Sequence, residues 1–160
     1  MILKRFVLAA LLSLPLLASA GYEEALQYYA DGRYAEALKE FRQLADQGDP
    51  QSLYFIGFFY HMGYGVPRDD AEAAKWFKRA AEKNHSQAQY YLGKLSEQGK
   101  GVEKDLVAAH MWYSLSARSA PNERDAAYTT REIHKIERKM TPDQITKAKD
   151  LAKNWVPEKG

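Results

Sequence analysis

The chain has 160 residues, 46% of them hydrophobic, enough for one domain with its own core. It has no cysteine, which excludes disulfides, a thiol nucleophile, a cysteine zinc site and acylation on cysteine. A formal net charge of +2 is not the basic footprint of a nucleic-acid binder.

Residues 1–20 read as a secretory leader. Lys4 and Arg5 form a positive start, Phe6 to Leu17 is an apolar run, and Ala18-Ser19-Ala20 is a small-x-small site with cleavage expected before Gly21. The run is too short to cross about 30 Å of hydrocarbon as a helix. No second such run follows, so no membrane insertion is expected after cleavage, and the destination is the periplasm or the outside. Removing the two cations leaves 21 basic and 21 acidic side chains. Their distribution is uneven, with net −3 over Gly21 to Glu97 and net +3 over Gln98 to Gly160.

A short hairpin opens the remaining chain at 21–48. Tyr22 to Ala30 predicts one helix, Asp31-Gly32-Arg33 a tight turn, and Tyr34 to Gln47 a second helix. Asp49 is then a cap with Pro50 at the first helical position, which predicts a helix to about Met62. Gly63-Tyr64-Gly65-Val66-Pro67 breaks it, Asp69 or Asp70 caps again, and Ala71 to about Lys83 forms the next helix. On that helix Ala74, Phe77 and Ala81 share one face with Lys78 as a polar intruder, and Asn84 suits the left-handed position that ends it.

Sliding the chain by 36 residues brings ten identities into register, among them Gly57/Gly93, Gly63/Gly99, Gly65/Gly101, Asp69/Asp105 and Trp76/Trp112. A period of this size marks stacked supersecondary units. The units at 49–84 and 85–120 therefore share one plan. In the second, Ser86 is the expected cap, a helix runs to Gln98, Gly99-Lys100-Gly101 breaks it, and Asp105 caps a helix to about Ser119. Ala37, Phe41 and Ala45 fall on Ala73, Phe77 and Ala81, so the opening hairpin is a truncated first unit.

After Pro121 the pattern changes. Asn122 caps a polar helix to about Met140, Thr141-Pro142-Asp143-Gln144 is a capping box, and a last helix reaches Trp155 with Ile145, Ala148, Leu151, Ala152 and Trp155 as its stripe. A solenoid must cover its apolar end, and the helix pair in 121–160 fits that task. The Arg131 to Lys153 segment holds seven basic and four acidic residues, a solvated face or a docking patch.

Several residues have physical reasons of their own. Gly57 and Gly93 inside helices cost about 1 kcal/mol each relative to Ala, a repeated cost that indicates close approach of a partner helix. Gly63, Gly65, Gly99 and Gly101 supply backbone angles that other residues resist. Trp76 and Trp112 are expected to be buried anchors of the hairpin interior.

Tyr90-Tyr91-Leu92-Gly93, Gly99-Lys100-Gly101-Val102, Asp105, Ala109 and Trp112-Tyr113 resemble the Sel1-like repeat, and Ser52 to Ala81 resembles another copy. The opening hairpin is closer to a plain tetratricopeptide unit. The resemblance implies an all-α fold, a right-handed solenoid of antiparallel helix hairpins with a C-terminal capping pair. It also implies an interaction or adaptor module of the bacterial envelope.

In tetratricopeptide-like units the first helix of each pair lines the concave side. The resemblance places Tyr54, Phe58 and His61 there, with Tyr90, Lys94 and Glu97 in the second unit and Tyr22, Leu26 and Tyr29 in the opening hairpin. Phe58 is the expected main anchor, because its counterpart is Lys94 and the scaffold therefore does not demand an aromatic ring at that position. Tyr28 and Tyr60 are expected in the core.

Catalytic and metal signatures are absent. His61, His85, His110 and His134 form no His-x-x-x-His pair, no Gly-x-Ser-x-Gly occurs, and neither Gly-x-Gly follows a strand. His110 is expected as a packed or rim residue. No catalytic residue, metal or cofactor is expected, and the partner is a protein or peptide. Two alternatives stand beside the adaptor. One is a secreted protein that binds or hydrolyses cell-wall peptides or β-lactams, as linked to some cysteine-stapled relatives. The other is a secreted factor acting on a host.

Overall fold

The computed structural model describes residues 20–158, so all but the last residue of the expected leader lies outside the described residues. Eight helices and no strand are present among them. They are α1 (20–30), α2 (Tyr34–Asp46), α3 (Pro50–Met62), α4 (Asp70–Glu82), α5 (Ser86–Gln98), α6 (Leu106–Ser119), α7 (Glu123–Glu137) and α8 (Pro142–Asn154). Consecutive helices from α2 to α7 stack as an α-solenoid, and both α7 and α8 lean on α6.

Caps set the starts. The Asp49 carboxylate accepts from Ser52 N–H at 2.7 Å, Asp69 from Ala71 and Glu72, and Asp105 from Val107 and Ala108. Thr141 and Gln144 form the reciprocal box at α8. One cap differs from expectation. α5 is capped by His85, whose Nδ1 accepts from Ala88 N–H at 3.2 Å, while Ser86 is already the first helical residue. His85 thus occupies the place that Asp49 holds one unit earlier. Left-handed Gly63 and Gly99 end α3 and α5, and Asn84 is left-handed just past α4.

The in-helix glycines mark where helices meet. A Cβ on Gly57 would lie 2.7 Å from the Phe77 ring, and one on Gly93 would lie 2.6 Å from the Tyr113 ring. Gly65 and Gly101, both at positive φ, press each linker onto the start of the preceding unit's second helix. Gly65 meets the Tyr34–Ala35 backbone and Gly101 the Asp70–Ala71 backbone. The repeat spacing of glycines is therefore the spacing of interhelical contacts.

Trp76 and Trp112 are not the buried anchors. Both are half-buried, and their neighbours Phe77 and Tyr113 are fully buried. One residue is about 100° of helix rotation, which turns Phe77 and Tyr113 onto the glycines and the tryptophans toward the rim. Trp76 Nε1–H donates to Glu72 at 2.9 Å, with the Arg79 guanidinium 4.5 Å above the ring. Trp112 meets Trp155 edge-on at 6.3 Å. The same rotation exposes Lys78, leaving Ala73, Ala74, Phe77, Ala80 and Ala81 as the inward face of α4. Replacing Trp76 with Ala is expected to cost about 1–2 kcal/mol, well below a full aromatic truncation. Chemical unfolding checks this, and a cost equal to that of Phe77→Ala would contradict it.

The C-terminal helices close the stack through polar contacts. His110 is buried, and its Nε2 lies 3.0 Å from Glu137, which also pairs with Lys149 at 3.3 Å. The bond from His110, with the Lys149 charge, holds the Glu137 carboxyl below its usual range despite burial. α7 stops at Glu137, short of the expected Met140, and residues 138–140 turn the chain. Arg118 donates to the Ala152 carbonyl, and Glu158 N–H reaches the Glu82 carbonyl at 2.8 Å. The tail after α8 thereby returns to the end of α4. Ala148 and Ala152 form the inner side of α8, whereas Leu151 of the expected stripe is exposed.

Candidate functional site

The first helices of successive hairpins, α3 and α5, share a face with α7. Tyrosines dominate it because the repeat places one at Tyr54 and again at Tyr90. Tyr91 follows Tyr90 in sequence and turns toward α3. The Tyr54 and Tyr91 rings are 6.0 Å apart, as are, at 5.6 Å, those of Tyr90 and Tyr128. The Tyr90 and Tyr128 hydroxyls meet at 3.2 Å and tie α5 to α7. Between these rings lies an open cavity of about 210 Å³, also bordered by Asp125 and by the end of α6 at Ser116 and Ala120.

The expected groove residues divide into two groups. Tyr54, Tyr90 and the newly found Tyr91 border the cavity. Tyr54 is only 8% exposed, so it forms a wall and not an anchor, and burial raises its hydroxyl pKa well above the ordinary value. Phe58 is half-buried, stacked on Tyr54 and edge-on to Tyr64 and Tyr91. It extends the wall instead of standing free as the anchor. Lys94 sits beside the same wall, its ammonium 5.9 Å over the Tyr91 ring.

The remaining positions serve packing or clasps. Tyr22 turns onto Phe41 and Phe55. Tyr29 lies among Tyr34, Phe55, Phe59 and Tyr64, and Leu26 packs on the same core. His61 is held by Asp70 at 2.6 Å, with Arg68 on the other carboxylate oxygen. Burial opposes the Asp70 charge, yet these two bonds keep its carboxyl below the usual range. Glu97 accepts from the Tyr113 hydroxyl and from Lys139, a clasp between α5, α6 and the turn before α8. Tyr28 and Tyr60 pack on the core but reach polar partners, Glu24 and Arg42.

Asp125 and Tyr128 were not legible as site residues. The α7 cap Asn122 follows the α5 cap His85 by 37 positions, so Tyr128 falls on Tyr91 only when one extra residue is allowed in the 36-residue register. Recognising α7 as a further first-helix after α1, α3 and α5, and not only as a cap, is the signal that recovers it.

His85 stands behind this face, stacked on Tyr54 at 4.9 Å, with Nε2 2.8 Å from Gln51 Oε1. The cap needs a bare Nδ1, so the ring is neutral with its proton on Nε2. Burial, outweighing the nearby Asp49 charge, lowers its pKa to about 4. Between pH 6.5 and 4 the unfolded chain takes up a proton that the folded chain refuses. Stability is expected to fall with pH across that window, by up to about 3 kcal/mol, and not further below it through this group. His85→Asn keeps a cap and should flatten the slope above pH 5 in acid unfolding. An unchanged slope would contradict the assignment.

No group of three or more His, Asp or Glu suited to a metal occurs among the described residues, and no described helix is long and apolar enough to cross a membrane.

Residues 50–85 and 86–120 each match the Sel1 repeat family model. Among solved structures the chain is similar to a protective antigen of uropathogenic Escherichia coli strains displaying an SLR fold. The two share 29% identity and a TM-score of 0.75 over 84% of this chain and 29% of that one. It is also similar to a Sel1 repeat protein of Oxalobacter formigenes, with 28% identity and a TM-score of 0.63 over 70% of this chain and 44% of that one. The chain therefore spans less than half the length of either. No curated protein matches it.

Proposed function

Since the chain is a Sel1-like repeat protein, we propose that it is an exported, non-catalytic adaptor of the bacterial envelope that holds a protein or peptide segment on its concave face. The observation that carries this reading is the open tyrosine-walled cavity shared by α3, α5 and α7. Tyr128 is 47% exposed there, and exposed aromatics in a groove are typical binding anchors. The working surface is Tyr54, Phe58, Tyr90, Tyr91 and Tyr128, with Lys94 at its edge.

The leader at 1–20 supports export. The mature chain is expected to begin at Gly21 in the envelope or secreted fraction, as read by intact mass. Met1 retained on a cytosolic protein would contradict it.

Capture from native envelope tests the binding reading. The partner taken by the wild-type protein should be lost by Phe58→Ala, which is expected to weaken binding by about 2 kcal/mol. Because Phe58 also touches three rings, the same change should lower stability by about 1–2 kcal/mol. A Lys75→Glu control, on an exposed site of α4, should keep the partner. Retention by both variants would overturn the groove.

The likeness to a protective antigen favours a second reading, a factor displayed to or released toward a host. Capture of a host protein in place of an envelope protein would select it.

A further inference from the structure

We propose that the tyrosine cavity receives a cationic side chain of the partner, a lysine ammonium or an arginine guanidinium. The inference rests on the groove reading above and names the chemistry of its occupant. The observation is a charge and ring pattern. Tyr54, Tyr90, Tyr91 and Tyr128 border the cavity, and Asp125 is the one ionised residue in its lining.

Ring faces carry partial negative charge and attract cations, most strongly where several rings meet beside a carboxylate. The chain's own cations already display this preference at the two margins. Arg131 places its guanidinium 5.7 Å over the Tyr128 ring, and Lys94 its ammonium 5.9 Å over Tyr91. Neither residue lines the cavity itself.

The helix ends at the cavity do not reverse the sign. α5 begins there at Ser86 and Gln87 and α7 places Asp125 there in its first turn, two positive ends, whereas α6 finishes there at Ala120 with its negative end. Glu123 and Asp125 in the first turn of α7 answer the remaining positive end. One carboxylate oxygen of Asp125 accepts from Asn122 at 3.0 Å. That bond orients the group without neutralising it. Glu132, about two turns further along α7, lies outside the lining and is paired with Lys135 at 2.7 Å, although its charge is still felt at the Tyr90 hydroxyl. An anionic occupant would meet the Asp125 carboxylate. A purely apolar one would leave Asp125 and the paired tyrosine hydroxyls facing it without compensation.

Nuclear magnetic resonance titration of the purified protein tests this. The probes are acetylated, amidated Gly-X-Gly peptides at low salt, with X as lysine, arginine, norleucine or glutamate. The lysine and arginine peptides should shift the signals of Tyr90, Asp125 and Tyr128 saturably and bind at least about fivefold more tightly than norleucine. Asp125→Asn should lower that ratio toward one, by weakening the cationic peptides and not by weakening norleucine. Tyr128→Leu, which keeps bulk but removes the ring, should reduce the ratio as well, so the result does not hang on one cap-adjacent residue. Equal or tighter binding of norleucine or glutamate, or no saturable shift at these residues with the cationic peptides, would overturn the proposal. If the cation preference fails but the envelope partner still requires the ring face, the groove reading stands and only its occupant is overturned. Loss of both would remove the groove itself.

Discussion

Gly101→Ala is expected to cost at least about 4 kcal/mol and to leave a chain that unfolds its second unit near room temperature. Two effects add at this residue. Its φ of +69° is one that a side chain resists. The added Cβ would also land on the backbone of Asp70 and Ala71, at the start of α4. Backbone cannot rotate aside as a side-chain tip can, so the linker must lift off. Lifting it also disturbs Asp69 and Asp70, which cap α4 and hold His61. Gly32→Ala is the control, since φ is +74° there but a Cβ would meet nothing within 4 Å. It should cost only the conformational penalty, about 1 kcal/mol. Urea unfolding followed by circular dichroism compares the two. Equal costs would show that the linker contact contributes nothing.

Tyr113→Ala is expected to cost about 3–5 kcal/mol. The ring is 1% exposed, lies against Gly93, and joins the small cluster of Ala109 and Ile136 that fixes α7 to the stack. Its hydroxyl bonds Glu97, and burial together with the Glu97 charge pushes its pKa far above the ordinary value. Truncation therefore removes a ring, leaves a cavity and takes one of two donors from Glu97, which keeps Lys139. Tyr113→Phe separates these effects and should retain all but about 1–2 kcal/mol. A Tyr113→Ala cost no larger than that of Trp76→Ala would place the hairpin anchors back at the tryptophans.

The fold was legible because its signals are local and recur. Asp49, Asp69 and Asp105 cap the helices they precede, and Gly57 and Gly93 sit where a second helix presses closest. Which aromatic residue filled that contact was not legible. Trp76 and Phe77 are adjacent, both recur as large rings at the period, and only the helix phase decides between them.

The site was read in part for a related reason. Tyr54 and Tyr90 follow from the repeat, but their exposure depends on what the neighbouring hairpin supplies. Tyr22 and Tyr29 turn inward because α2 and α3 offer Phe41, Phe55 and Phe59 to pack against. Tyr128 escaped because one extra residue takes α7 out of the repeat frame. His85 escaped as a cap because histidine is an unusual residue in that role, and only the bond to Ala88 N–H reveals it.

Binding on the face shared by α3, α5 and α7 is the proposal that every other functional expectation here depends on. Its most direct test is calorimetric titration of the captured partner into the wild-type protein and into Tyr128→Ala. The ring is 47% exposed and lies outside the core, so the unfolding free energy should fall by only about 1–1.5 kcal/mol, the loss of the contact with Tyr90 included. Partner affinity is nonetheless expected to fall by at least about 2 kcal/mol, the order of a hot-spot residue. Undiminished affinity in Tyr128→Ala, with the same affinity in Phe58→Ala, would contradict it.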